Sequence, residues 1–298
     1  MTFSIVGRST DGSCLGVAVA SKVLAVGRAV PGAEADVGAV ATQATCNLMI
    51  RPRALRMMRE GLSPEEIAEK LVDGDADGSR RQFGIVDRNG ISASYTGVDC
   101  IPWAGGRSGP NYAIQGNLLV GPEVIEAMEV AWLESSPDHP LEWNLLAALM
   151  AGDRSGGDRR GRQSAAVFVV SPEGAHEAGR GGGSGGPNDE AVNLRVDDHF
   201  DPVLELCRLL NLKDACGGSR SPDPPVVLDG ALAREIAPLL RRVGYGPQSY
   251  MVEDVSGALE RWAIEENLDE RLAGGAVDVV VLEHLRRRAG DSWVAPLR

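Results

Sequence analysis

Lysine is nearly absent from this chain. Only Lys22, Lys70 and Lys213 are lysines and the other 27 basic residues are arginines, a skew that reads as base composition of the coding sequence rather than as chemistry. Basic residues are also the minority: 42 Asp and Glu against 30 Lys and Arg give a formal net charge of −12. A balance this acidic argues against nucleic acid or an anionic membrane as a main partner. No run of about 20 apolar residues occurs, so no segment reads as a membrane span. A basic start followed by a long apolar core is missing too, so a secretory signal is not expected. The five cysteines (Cys14, Cys46, Cys100, Cys207, Cys216) are scattered and odd in number, with no Cys-x-x-Cys pair. That argues against a disulfide framework or a zinc knuckle, and each cysteine reads as a small buried apolar residue. These absences together predict a cytoplasmic protein.

What is present is ordinary in amount and informative in pattern. At 298 residues the chain is long enough for about two domains, and 43% hydrophobic with 24% charged residues is a globular composition. Residues 2–8 alternate in β-formers, Ser9-Thr10-Asp11-Gly12 signals a turn, and 15–21 (LGVAVAS) and 37–42 are near-continuous apolar runs. Such runs suit strands covered on both faces. Helices are expected over 52–60 and from 64 to about 72, the second launched by Ser63-Pro64-Glu65-Glu66, a capping box with proline at the first helical position. Arg88-Asn89-Gly90 joins strands 82–87 and 91–97 as a hairpin. A strand over 112–119, helices over 122–133 and 141–151, and strands over 163–170 and 192–197 follow. Asp201-Pro202 starts a helix to about 212.

The expected fold class is therefore α+β, two sheets face to face with helices outside. Residues 213–225 (KDACGGSRSPDPP) have the composition of a linker. Beyond it, 226–298 carries helical patterns at 230–243, 255–266 and 278–288, which predicts a small three-helix domain after a first domain of 1–212.

Thr2 is the residue whose position carries most chemistry. Removal of Met1, favoured before a small residue, leaves a threonine with a free α-amine and a β-hydroxyl. An α-amine of pKa about 8 can accept the hydroxyl proton, so one residue supplies nucleophile and base. Threonine follows methionine in many ordinary proteins, and what strengthens the reading here is the head of a buried strand.

Seven segments extend it: Met1-Thr2-Phe3-Ser4-Ile5-Val6, GVAVASK (16–22), GAVATQA (38–44), PWAGGRSG (102–109), QGNLLVGPEV (115–124), GGDRRGRQSAA (156–166) and LRVDDH (194–199). With the opening hairpin, they resemble the N-terminal-nucleophile (Ntn) hydrolases, and within them an Ntn-hydrolase-like family catalogued as domain of unknown function 1028. The resemblance implies a four-layer αββα sandwich over 1–212 and amide hydrolysis at Thr2. Residues 226–290 resemble a helical module that some members carry, one named for peptidoglycan binding. The chain departs from proteasome-type Ntn enzymes: Ser21 stands where their second strand ends in Asp, and their lysine has no counterpart near Glu34–Asp36.

Other candidates divide between chemistry and packing. The Asn117 side-chain amide suits an oxyanion donor, while Gln115 and Asn117 could equally satisfy a buried turn. Thr42 and Gln43, at the end of the third strand, line the same pocket or fill the core. Arg160 and Arg162, in Gly156-Gly157-Asp158-Arg159-Arg160-Gly161-Arg162-Gln163-Ser164, anchor an anionic substrate through guanidinium forks or hold the loop by pairing with aspartates such as Asp197. Asp197, Asp198 and His199 form an alternative metal cluster. His139, His176 and His284 show no triad spacing with a serine. GRGGGSGGP (179–187) contains Gly-x-Gly-x-x-Gly only through its low complexity.

Two readings of function result. One is an amidohydrolase acting on a small, anionic substrate without metal or organic cofactor, using Thr2, Ser21 and Asn117, with Thr42, Gln43, Gln115, Arg160 and Arg162 around the substrate. The other is a non-catalytic ligand-binding or assembly protein on the same fold. Homo-oligomers remain open under both.

Overall fold

The computed structural model describes residues 2–172, 189–216, 224–273 and 275–290. The glycine-rich segment 179–187, His176, Met1 and most of the expected linker lie outside the described residues. The chain divides into two compact units, the first reaching Leu209 and the second running on from Leu210.

Among the described residues the first unit contains ten strands: β1 (Thr2–Arg8), β2 (Leu15–Ser21), β3 (Pro31–Glu34), β4 (Gly38–Ala44), β5 (Arg81–Asp87), β6 (Ser92–Thr96), β7 (Gly105–Gly109), β8 (Tyr112–Asn117), β9 (Ser164–Val170) and β10 (Glu190–Val196). Its helices are α1 (Ile50–Arg59), α2 (Pro64–Val72), α3 (Glu123–Leu133) and α4 (Leu141–Arg154); α5 (Pro202–Cys216) begins in this unit and runs on into the second. One sheet has six strands in the order β10-β9-β2-β1-β8-β7 and the other four in the order β3-β4-β5-β6. The pairs within them are antiparallel. Helices α3 and α4 cover the six-stranded sheet, α1 and α2 cover the four-stranded sheet, and the two sheets meet face to face. This is a four-layer αββα sandwich, and β1 lies in the middle of the larger sheet.

Strand alternation sets what each layer receives. On β1, Phe3, Ile5 and Gly7 point to α3 and α4; a Cβ on Gly7 would stand 2.7 Å from the Trp132 ring and 2.9 Å from Leu145. Thr2, Ser4 and Val6 point into the seam between the sheets. At the Val6 end the seam is apolar, with Val6, Val17, Val19, Ala39, Ala41, Val86 and Ala113 buried together. Val40, Phe83 and Ile85 turn the other way, to Ile50, Ala54, Ile67 and Leu71 of the outer helices. The capping box of α2 is formed: Ser63 Oγ accepts from Glu66 N at 3.3 Å and Glu66 Oε2 from Ser63 N at 2.8 Å.

The second unit holds α6 (Gly230–Arg242), α7 (Val252–Glu265) and α8 (Val279–Arg288) around Trp262, Ile236, Leu240 and Leu285. It also holds a small sheet of β11 (Val226–Val227), β12 (Leu272–Ala273) and β13 (Ala276–Val277) in the order β11-β13-β12. The sequence reading expects the helices but not this sheet, because two-residue strands carry no period. It also lacks β3 and the glycine-rich β7, and Cys46 is exposed rather than buried. No helix among the described residues is long and apolar enough to cross a membrane.

Candidate functional site

Thr2 heads β1 with 5% of its surface exposed, opposite Asn117 on β8. Its Oγ1 is 3.1 Å from Ser21 Oγ, and either hydroxyl can donate. Ser21 ends β2 because β1 and β2 are a hairpin: Phe3 registers with Ala20, which leaves Ser21 beside Thr2. Gln43 Nε2 donates to the Thr2 carbonyl at 3.1 Å, so the four-stranded sheet holds the backbone of the strand head.

Behind Thr2 the seam turns polar. Ser4 Oγ donates to Gln43 Oε1 at 2.7 Å and accepts from Gln115 Nε2 at 2.6 Å. Gln82 Oε1 accepts from Gln43 Nε2 and from Asn117 Nδ2, both at 2.8 Å. Gln82 Nε2 donates in turn to the Gly116 carbonyl at 2.7 Å and to Thr96 Oγ1 at 2.9 Å. Ser4, Gln43, Gln82, Gln115 and Asn117 are each at most 2% exposed. Such a network is sustained only because nearly every member is paired, since an unpaired buried amide carries the full cost of desolvation. Gly84 makes room for it: a Cβ there would lie 2.0 Å from Gln115 Oε1.

A cavity of about 340 Å³ opens beside Ser21, lined by Phe3, Ala20, Ser21, Asp153, Arg154, Gly156, Asp158, Gly161, Arg162, Phe200 and Pro202. Thr2 is not on its wall and meets it through Ser21. Asp158 is buried and organises the arginine-rich loop. Its Oδ2 accepts from Lys22 N at 2.8 Å, its Oδ1 from Arg160 N at 2.9 Å, and the Arg160 guanidinium folds back on it at 3.1 Å. Arg162 Nε donates to Asp153 at 2.8 Å, and this bond raises the guanidinium's already high pKa against the opposing effect of burial.

The predicted site residues therefore fall into groups. Thr2, Ser21, Asn117, Gln43 and Gln115 are brought together, and Arg162 lies on the cavity next to them. Arg160 is committed to Asp158. Thr42 sits with Phe83 on the opposite face of its sheet, fully buried, its Oγ1 without a hydrogen-bond partner. The metal alternative is not assembled. Asp197 pairs with Arg195 at 2.8 Å rather than with the loop arginines, Asp198 accepts from Gln163, and His199 Nδ1 accepts from Asp201 N. No group of three or more His, Cys, Asp or Glu placed to hold a metal exists among the described residues. His284 contacts Glu266 in the second unit, and His139 lines a separate cavity of about 190 Å³ near Arg8.

Two functional candidates escape sequence reasoning. Gln82 carried a signal, the alternation Gln82, Gly84, Val86 that faces an amide into a buried seam. Arg154 carried none, because a basic residue ending a helix is explained by the helix dipole alone.

Fold and site together define a four-layer αββα protein with a threonine at the head of a central strand. The chain belongs to the family of unknown function DUF1028, whose model matches residues 2–206. Residues 219–285 match the model described as "Putative peptidoglycan binding domain". Protein SPO2555 from Silicibacter pomeroyi, of the same family, is similar at 27% identity with a TM-score of 0.62, covering 73% of this chain and 90% of its own. Anbu (ancestral beta-subunit) from Yersinia bercovieri aligns at 12% identity with a TM-score of 0.33, over 75% of this chain and 100% of its own. No curated protein matches the chain.

Proposed function

We propose that the first unit is an Ntn-type amidohydrolase whose nucleophile is Thr2. The observation that carries this reading is the Thr2–Ser21 hydroxyl pair at 3.1 Å, at the head of a buried central strand and beside a cavity. With Met1 removed, the Thr2 α-amine takes the hydroxyl proton, directly or through Ser21 Oγ, as Oγ1 attacks the amide carbonyl carbon. Asn117 gives one N–H to Gln82, and its second N–H, which has no partner among the described residues, is the donor for the oxyanion. Collapse breaks the C–N bond, the α-ammonium returns its proton to the leaving amine, and an acyl ester remains on Thr2. Water, deprotonated by the same amine, releases the acid and restores the hydroxyl. Gln43 positions the nucleophile by holding its carbonyl.

Intact mass of the native-sequence protein should show loss of Met1. Thr2→Ala should fold like the wild type and lose amide hydrolysis by orders of magnitude, and Thr2→Ser should retain part of it. Asn117→Ala should lower kcat by roughly 10²–10³. Retention of Met1 in turning-over protein, or a Thr2→Ala variant at the wild-type rate, overturns the mechanism and places the catalytic group elsewhere than Thr2.

A further inference from the structure

The cavity beside Ser21 has an uneven wall. Phe3, Ala20, Phe200 and Pro202 make it apolar on one side, and its charged groups are Asp153, Asp158, Arg154 and Arg162. Both aspartates already have basic partners: Asp158 is held by Arg160 and the Lys22 N–H, and Asp153 by Arg162 Nε. The arginines are not used up in return. Arg162 spends only Nε, so its terminal nitrogens make no hydrogen bond among the described residues. Arg154 ends α4 and makes no hydrogen bond or ion pair with any described residue. Asp201 stands near enough to favour the charged form of Arg162 without bonding to it.

An unpaired guanidinium fork is shaped for a carboxylate, which accepts two parallel N–H bonds. We infer that Arg154 and Arg162 form a carboxylate-binding subsite, and that the substrate is a small amide carrying a free carboxylate and an apolar side group. This inference rests on the Thr2 reading for its reaction but not for its binding. At about 340 Å³ the cavity is at the small end of ligand sites. It fits a molecule the size of an acylated amino acid, not an extended peptide. Phosphate is the poorer match, because the backbone N–H groups of Lys22 and Arg160 that could cradle it are given to Asp158.

The test is calorimetric binding to full-length Thr2→Ala protein, which holds the cavity without turnover. The probes are N-acetylglycine and N-acetylphenylalanine, their primary amides, and inorganic phosphate. The carboxylates should bind saturably and the neutral amides at least about tenfold more weakly. Arg154→Gln and Arg162→Gln should each weaken carboxylate binding by about tenfold, while Arg159→Gln, exposed and off the cavity wall, should not. Arg154→Gln leaves no partner stranded, so it decides the matter if Arg162→Gln lowers the melting temperature. Equal affinity for acids and amides, insensitivity to Arg154, tighter binding of phosphate, or no carboxylate binding at about 10 mM overturns the subsite. Failure of that kind leaves Thr2-dependent cleavage of a neutral amide intact. Hydrolysis retained by Thr2→Ala at the wild-type rate, with carboxylate binding preserved, overturns only the nucleophile.

Discussion

Thr42 and Gln43 are neighbours in sequence with opposite fates. Gln43 faces the seam and is paired four ways, to Thr2, Ser4, Gln82 and Gln115. Thr42 faces the helical layer, and its hydroxyl is buried without a partner. Thr42→Val keeps the shape and β-branching while removing that orphan, so it should raise stability by up to roughly 1 kcal/mol in denaturant titration and leave hydrolysis unchanged. A loss of activity would place Thr42 back at the site. The same contrast shows what could be read beforehand. The position of Thr2, Ser21 and Asn117 is legible because each stands at the end of a strand that its apolar run marks, whereas what each side chain does there is not. Which of its two readings Thr42 takes, pocket or core, depends on strand register to a single residue, which the apolar run 37–42 does not fix.

Elements are joined to their layers by a few polar ties as well as by apolar contact. Tyr112, 5% exposed at the start of β8, donates its hydroxyl to Glu129 on α3 at 2.8 Å, and Glu129 also pairs with Arg107 of β7. Burial and then the Glu129 carboxylate push the Tyr112 pKa from 10.0 up to about 12. The folded state thus keeps this proton where the unfolded chain gives it up, so the contribution is whole below pH 10 and is lost as pH rises toward 12. Thermal melts across that window should fall more steeply for the wild type than for Tyr112→Phe; parallel curves would show that the tie contributes nothing. Long elements such as β2, β5 and α2 were legible because period and caps repeat over many residues. The strand β7 (GGRSG) was not, since it is a strand by virtue of pairing with β8 rather than by side-chain preference.

For the molecule as a whole, the division at Leu210 and the separate match of residues 219–285 predict independence of the first unit. A chain ending at Cys216 should express and melt cooperatively. Insolubility or a broad transition would make the helical unit part of the same core. The layers follow from the sequence: runs apolar on both sides require covering on both faces, and amphipathic helices supply the covers. Tertiary structure alone decided the seam and the site. Whether an amide in a buried strand meets another amide or a stranded void depends on register across two sheets, and whether an arginine is spent or available depends on which aspartate reaches it. Arg160 and Arg162 are two residues apart in one loop, yet Asp158 takes the first guanidinium and leaves the second one's terminal nitrogens open to the cavity. Such pairings are long-range geometric facts, which composition and periodicity do not encode.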